Sequence, residues 1–498
     1  MPPTFRKWLA PAAWVAAVTA VLLIVFPVGY PNYDTIYALV WGRELAHGVS
    51  PDYGAALPPT PHPLMDLFGL VTSPFGGGAP ITATMVVAYV SLGLITYFVY
   101  RLGEIWFDRW VGIVAALVVI TRAPFLSNSL VAYIDVPYIA LCLGALYVEA
   151  RKPRAGWPVL ALLLAAGLLR PEAWGFAIAY WLWLAFDLHR GQGGLWGWEI
   201  AWRRERSTTE LAWLALLTVA APIIWVLFDT ITTHNPLYSL TGTQETVEDL
   251  KRKTGPVDLV LYGPRRLGEV MQWPGMIGGF GGLLLGFFLL RRRSALGLAA
   301  FVLALLGFAA LAAAGLAIIA RYTMLAGAIF SIFFALGLLG WRFIDRDDPW
   351  RRRWQIFAGI LVAMIVFWIP NQVDLLKQVN ANLVNQGTIE DELTGIADDG
   401  AFSPACGPIA VPNHRAVPRL AWALDIKPTD VVSASEAVSA EEKRKLAEAG
   451  YWVQPANEFV IHNYILDPND KTNFEIEVPA GFHEVARNAS WRIYSSCG

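Results

Sequence analysis

The sequence predicts a mainly α-helical, polytopic membrane protein of about eleven transmembrane helices, followed by a C-terminal extracytoplasmic α/β domain. Three observations carry this. Of 498 residues, 56% are hydrophobic and 16% charged, where a soluble domain carries about 25% charged residues. Apolar blocks of about 20 residues, each long enough to cross a bilayer, recur almost to residue 370. Beyond that point the composition turns polar for the last 128 residues. A soluble multi-domain enzyme is excluded, and a net charge of −2 supplies no positive field for nucleic acid.

The expected spans are 8–29, 81–100, 110–121, 136–150, 157–169, 173–188, 210–229, 274–290, 295–319, 323–341 and 354–370. Arg6 and Lys7 precede the first block as in a signal peptide. It is too long for a signal h-region and no small-residue cleavage site closes it, so it reads as a retained anchor. Basic residues orient the set, because cytoplasmic loops retain Lys and Arg. Nineteen lie on the side of the N-terminus, among them Arg151, Lys152 and Arg154, Arg203, Arg204 and Arg206, and Arg291, Arg292 and Arg293. Nine lie opposite, five of them in one long loop. With an odd number of spans the N-terminus is cytoplasmic and the C-terminal domain extracytoplasmic, in the plasma membrane.

Spans three and five are short, about 18–20 Å of helix against a hydrocarbon core of about 30 Å. They end at Arg122 and Arg170. An arginine stopped inside the outer leaflet needs a wet cavity or a counter-charge, so a polar cavity is expected on the extracytoplasmic side. The chain divides into a transmembrane unit, 1–370, and a domain, 371–498. In the latter, Val373, Leu375, Leu376, Val379 and Leu383 make an amphipathic helix, Ser439 and Glu442 form a capping box opening a helix over 440–449, and strands fit 407–411, 458–461 and 490–494. Cys142 lies within a span as an inert core thiol. Cys406 and Cys497 bracket the domain's last 92 residues. A disulfide between them would stabilise by about 4–5 kcal/mol on the chain-entropy model, two free thiols being the alternative. Trp422, Trp452 and Trp491 read as core packing or as a glycan-binding surface.

The residues that could carry chemistry gather at the outer ends of the spans. Asp34, in Tyr33-Asp34-Thr35 just past span one, suits a helix N-cap and equally a base for a substrate hydroxyl. Asp135 opens span four on the same side, again as a cap or as a second acid. The two could share a divalent cation or divide base and orienting roles. Arg170 and Glu172, in Leu169-Arg170-Pro171-Glu172, form a local ion pair or face the cavity. Arg321, before Tyr322 and Thr323, is the lone charge between two long apolar spans and suits a phosphate oxygen, helix-end snorkelling being the alternative. Arg122, Arg170 and Arg321 are therefore candidates for an anionic ligand. Tyr33, His62, Glu172, His234 and Tyr322 are candidates for contacting substrate. His62 and His234 have no histidine at metal spacing, so a zinc site is not supported. The run Lys251-Arg252-Lys253 reads as a solvated face or headgroup contact.

The order of these features resembles the C-type glycosyltransferases, multi-spanning enzymes that use polyprenyl-phosphate sugars. The likeness covers residues 8–370: an acidic residue past span one, a loop closing on Pro61-His62-Pro63-Leu64, Asp135-Val136-Pro137 at span four, Leu-Arg-Pro-Glu before span six and Arg-Tyr-Thr before a late span. The last 128 residues match no named pattern. The resemblance implies a base at Asp34, a second acidic position at Asp135 and a lipid-phosphate contact at Arg321. It leans toward actinobacterial arabinose or mannose transferases. The chain departs from relatives that modify lipid A or proteins, which often show Lys-Pro-Pro-Leu at the loop and a paired acid where Asp34 stands alone.

Such chemistry needs few groups. A departing phosphate needs no proton, unlike an alkoxide, so one base for the acceptor hydroxyl and cations for the phosphate suffice, and the displacement inverts the anomeric centre. The partners implied are a polyprenyl-phosphate hexose or pentose donor, a glycan, lipid or protein acceptor, and membrane lipids; the one cofactor left open is a divalent cation. Two rivals are a transporter or lipid flippase, and a non-catalytic scaffold that binds cell-wall polymer. Against transport, no pair of interrupted helices occupies corresponding halves, and the polar groups gather on one face.

Overall fold

The computed structural model describes residues 3–190, 198–202, 206–437, 439–464 and 477–497; Arg203 and Arg204 lie outside them. A backbone in hydrocarbon must satisfy its polar groups within its own segment, which makes the apolar blocks helical. After α1 (Pro3–Val25), two helices fill the first loop, α2 (Tyr33–Ala46) and α3 (Pro63–Thr72). Then come α4 (Ala79–Trp106), α5 (Arg109–Thr121), α6 (Ala123–Leu130), α7 (Asp135–Arg151), α8 (Trp157–Gly167) and α9 (Glu172–Ala185). A hairpin of β1 (Phe186–Arg190) and β2 (Trp198–Trp202) leads to α10 (Thr208–Thr233), α11 (Tyr238–Asp249), α12 (Gly255–Phe288), α13 (Arg291–Ala313), α14 (Met324–Leu339) and α15 (Pro349–Asp398). Each of the eleven expected spans overlaps a helix, but residues 186–188 belong to β1 and residues 314–319 lie beyond α13. Among the described residues five are long and apolar enough to cross a membrane, or six if α5 and α6, bent by 59° about Arg122, count as one.

The centre of the bundle is α14, buried over nearly its whole length, with Phe330 and Phe333 fully enclosed. The Gly278–Gly282 stretch explains how α12 approaches it. A Cβ on Gly282 would lie 1.7 Å from the Phe333 carbonyl oxygen, and one on Gly337 would lie 2.1 Å from that of Gly278, so only glycine admits this backbone contact. The segment 230–272, expected as a loop, is filled by α11 and the first half of α12. The break comes at Gln272, whose φ of 59° lies in the left-handed region before Pro274.

Residues 371–383, expected as a separate amphipathic helix, continue α15, which runs 50 residues without interruption and so spans about 75 Å. Pro370 sits inside it, so position 370 is mid-helix and no linker. Beyond α15 a five-stranded mixed sheet has the order β4-β3-β5-β7-β6, from β3 (Ile409–Val411), β4 (Val431–Ser433), β5 (Tyr451–Pro455), β6 (His483–Arg487) and β7 (Trp491–Ser495). Around it pack α16 (Val417–Leu424), α17 (Ala440–Ala447) and α18 (Glu458–Asn463). The capping box at Ser439 and Glu442 is present, and Cys406 is disulfide-bonded to Cys497. Residues 458–461, expected as a strand, are helical: Asn457 accepts a hydrogen bond from the Val460 amide, and a cap outweighs the β-propensity of Val460 and Ile461. Trp491 and Trp452 are buried, and Trp422 lies under the Arg43 guanidinium at 4.9 Å.

One face of the sheet packs its own small cluster of Ala410, Ala449 and Trp452, while the other shares its core with the first loop. Tyr37, Trp41 and Tyr53, from α2 and the loop after it, pack with Val411, Val453 and Trp491 in a single cluster. Arg43 reinforces the contact by donating to the carbonyls of Trp422 and Ala421 at 2.9 and 2.8 Å and pairing with Asp425 at 2.9 Å. The first loop is thereby clamped between the helical bundle and the C-terminal sheet.

Candidate active site

Helix α2 opens on Asn32, not on Asp34. The Asn32 side chain accepts from the Thr35 amide at 3.2 Å and donates to the Val131 carbonyl at 2.8 Å, while the Thr35 hydroxyl donates to the Ala132 carbonyl at 2.8 Å. These bonds stitch the start of α2 to the turn before α7. Relieved of capping, the Asp34 carboxylate reaches Arg321: Nη1 lies 3.3 Å from Oδ2. Arg321 stands in a 3₁₀ turn, Ala320–Thr323, ahead of α14. Its guanidinium lies 4.8 Å from the Tyr133 ring and 5.5 Å from the Tyr322 ring. Its Nε has no hydrogen-bond partner among the described residues.

Arg170 is held differently. It is buried, pairs through Nη1 with Asp135, and donates to Glu172 from Nε at 3.0 Å and Nη2 at 2.7 Å. Tyr322 covers it at 4.0 Å. Asp135 and Glu172 are the first residues of α7 and α9, where the helix dipole favours a carboxylate. The local Arg170–Glu172 pair is present and Asp135 completes it. This occupies the Arg170 fork, so its charge is already spent on two carboxylates, whereas the other Asp135 oxygen, Oδ2, is buried without a partner among the described residues.

Both pairs line one cavity of about 910 Å³, together with Tyr33, His62 and Tyr322. Most of the remaining lining is apolar, including Phe176 of α9, Trp225 of α10, and Leu303, Leu306 and Leu311 of α13, with Asp229, Ser239, Thr243 and Arg252 among its polar members. The His62 ring meets Trp225 edge-on at 5.7 Å. Burial first, then the charges of Arg170 and Arg321, push the ring down to about 3. Burial thus favours the neutral ring, and its Nδ1 has no hydrogen-bond partner among the described residues.

Two candidates lie elsewhere. Arg122 is absent from the cavity lining and bonds the Met271 carbonyl and Gln272 Oε1, each at 3.3 Å. It braces the bend between α5 and α6 against the kink in α12. His234 is exposed and closes α10 in the left-handed conformation, φ 58°, also away from the cavity. Other residues had no local signal. Arg252, read as part of a solvated run, lines the cavity, as do His414 and Arg415 from the C-terminal domain. Asp66 is fully buried in α3, with neither oxygen hydrogen-bonded among the described residues. Burial, and then Asp229, hold its carboxyl well above the usual carboxylate range. Its one sequence signal is a lone charge inside Pro63-Leu64-Met65-Asp66-Leu67-Phe68.

Among the described residues no three His, Cys, Asp or Glu side chains are grouped to hold a metal ion. No family model matches the chain, and no curated protein does. Solved structures do. ArnT from Cupriavidus metallidurans bound to undecaprenyl phosphate aligns with a TM-score of 0.54 and 12% identity over 98% of each chain. Its apo state gives 0.49 with 13% identity over 98% of each. The archaeal oligosaccharyltransferase AglB from Archaeoglobus fulgidus, in complex with an inhibitory peptide and a dolichol-phosphate, gives 0.47 with 12% identity over 91% of this chain and 70% of that one. The likeness to undecaprenyl-phosphate-bound ArnT is one of fold.

Proposed function

We propose that this protein is a membrane glycosyltransferase that moves a sugar from a polyprenyl-phosphate donor to an acceptor hydroxyl on the extracytoplasmic face. The observation that carries the reading is the pairing of Asp34 with Arg321 at 3.3 Å in the wall of a cavity otherwise lined largely by apolar side chains. An amphiphile with an anionic head and an isoprenoid tail fits that lining. The tail lies along α9, α10 and α13, and the phosphate meets Arg321. The charge asymmetry of the loops supports an N-terminus in the cytoplasm and the cavity mouth and C-terminal domain outside.

In this reading the acceptor oxygen attacks the anomeric carbon from the face opposite the phosphate. A C–O bond forms and the bond from the anomeric carbon to the phosphate oxygen breaks, its electron pair leaving with the phosphate, so the configuration inverts. Asp34 takes the acceptor proton. Arg321 balances the charge growing on the phosphate with donors already in position, so little reorganisation is needed as the reaction proceeds. Asp135 is oriented by Arg170 and offers its remaining oxygen to a sugar hydroxyl. A divalent cation held by Asp34 and Asp135 would add a further counter-charge to the same phosphate. Tyr33, Tyr322 and neutral His62 supply shape and hydrogen bonds.

The test is transfer from a synthetic polyprenyl-phosphate sugar in reconstituted membranes. Asp34→Asn abolishes transfer while the protein still binds undecaprenyl phosphate. A transporter would keep or lose lipid flux independently of that carboxylate's basicity, and a scaffold would be indifferent. Full transfer by Asp34→Asn would refute the assignment.

A further inference from the structure

Four arginines line the cavity, Arg252 among them. Arg170 is spent on Asp135 and Glu172. Arg321 faces Asp34. The fourth, Arg415, comes from the C-terminal domain and lines the same cavity. It stands in a turn that is tied on both sides. Asn413 Oδ1 accepts the Arg415 amide at 3.0 Å. The Glu436 carboxylate accepts the His414 amide at 3.0 Å and bonds its Nδ1 at 3.1 Å, and it also accepts from Ser433. The His414 ring meets Tyr33, the neighbour of Asp34, edge-on at 5.3 Å.

Arg321 and Arg415 address one place from opposite halves of the chain. The Arg321 guanidinium lies over the Tyr133 ring at 4.8 Å beside Asp34, and the turn that carries Arg415 sets the His414 ring against Tyr33, the residue before Asp34. Charge balance gives this a purpose. A phosphodiester entering beside Asp34 puts two negative charges against Arg321 alone, and the phosphate that departs after transfer carries more negative charge still. A second guanidinium adds donors for the phosphate oxygens where the charge grows.

We propose that Arg321 and Arg415 form a two-arginine phosphate site beside Asp34, so that the site is complete only with the C-terminal domain docked. The inference rests on reading the cavity as a lipid-phosphate site. The phosphate could belong to a polyprenyl carrier or to a bulk phospholipid headgroup, since both present the same oxyanion.

The experiment measures binding of undecaprenyl phosphate to the full chain in phosphatidylcholine nanodiscs, for the wild type, Arg415→Ala, Arg415→Lys and Arg321→Ala. A parallel series replaces undecaprenyl phosphate with phosphatidic acid. An unchanged Tm and an intact Cys406–Cys497 disulfide establish that each variant is folded. Arg415→Ala is expected to weaken undecaprenyl phosphate binding about tenfold, as for loss of one charge-assisted contact, with Arg415→Lys in between. Equal weakening of phosphatidic acid would support the site and assign it to headgroups. If Arg321→Ala weakens binding and Arg415→Ala does not, the two-arginine site is wrong and the cavity reading stands. If neither variant weakens either ligand, both fall.

Discussion

Asp34 Oδ2 and Arg321 Nη1 face each other at 3.3 Å in the cavity wall, each about a quarter exposed. That is long for a charge-assisted hydrogen bond, which closes to about 2.7–2.9 Å. With Nε unpartnered among the described residues, the guanidinium retains donor capacity. In the proposed mechanism an entering phosphate competes with the Asp34 carboxylate for the same cation, and by drawing Arg321 away it leaves the carboxylate free to take a proton.

Asp34→Asn is therefore expected to act in opposite directions on binding and on chemistry. Loss of a general base lowers the transfer rate by about 10²–10⁴. Removal of a carboxylate that competes for Arg321 tightens undecaprenyl phosphate several-fold. Isothermal titration in nanodiscs and a transfer assay read the two separately, and weaker phosphate binding by Asp34→Asn would contradict the competition.

The two arginines are expected to separate by stability. Arg170→Met strands two buried carboxylates and costs about 3–5 kcal/mol, visible as a markedly lower Tm. Arg321→Met breaks a pair open to water, worth at most about 1 kcal/mol, so its Tm stays near wild type while transfer is lost. Thermal unfolding in detergent beside the transfer assay checks both, and a reversed order would show the roles exchanged.

Two groups of the first loop make opposite contributions to stability as pH changes. Burial, opposed by the Asp52 amide at 2.7 Å, pushes the Glu44 carboxyl up to about 7. A folded value above the unfolded one, about 4.3, means that its contribution is present at low pH and fades as pH rises through 7. His62, pushed down to about 3, contributes above its unfolded value of about 6.5 and loses that contribution as pH falls toward 3. Glu44→Gln should flatten the fall of Tm between pH 5 and 7.5, and His62→Gln should flatten its fall below pH 6.5, against wild-type scans. Curves parallel to wild type in either window would refute the corresponding burial argument.

The helical bundle was legible because hydrophobic blocks of spanning length have one stable solution in lipid. The pairing of Asp34 with Arg321 was foreshadowed by both lying at outer ends of spans, since a charge at that depth must find water or a partner. What stayed hidden depends on packing between distant segments. Asp135 joins Arg170 only because α7 packs on α8, and no local spacing announces it. His414 and Arg415 enter the cavity because α2 shares a core with the C-terminal sheet. The course of α15 through Pro370 was concealed by a real helix-breaking signal, which a membrane helix tolerates where a soluble one would kink or end.

That shared core leads to a test remote from the chemistry. Helix α2 carries Asp34 in its first turn and Arg43 in its last. Arg43 latches onto α16, which follows directly from the His414–Ala416 turn. Its fork makes two hydrogen bonds to carbonyls while pairing with Asp425, a geometry that an ammonium group does not reproduce. Arg43→Ala should loosen α16 from α2 and weaken undecaprenyl phosphate binding, although Arg43 is absent from the cavity lining. Arg43→Lys, which keeps the charge opposite Asp425, should fall in between. Hydrogen exchange over 414–424 reads the latch directly: faster exchange together with weaker binding ties the docked domain to the site. Faster exchange with unchanged binding would show that the C-terminal domain covers the cavity without helping to hold its ligand.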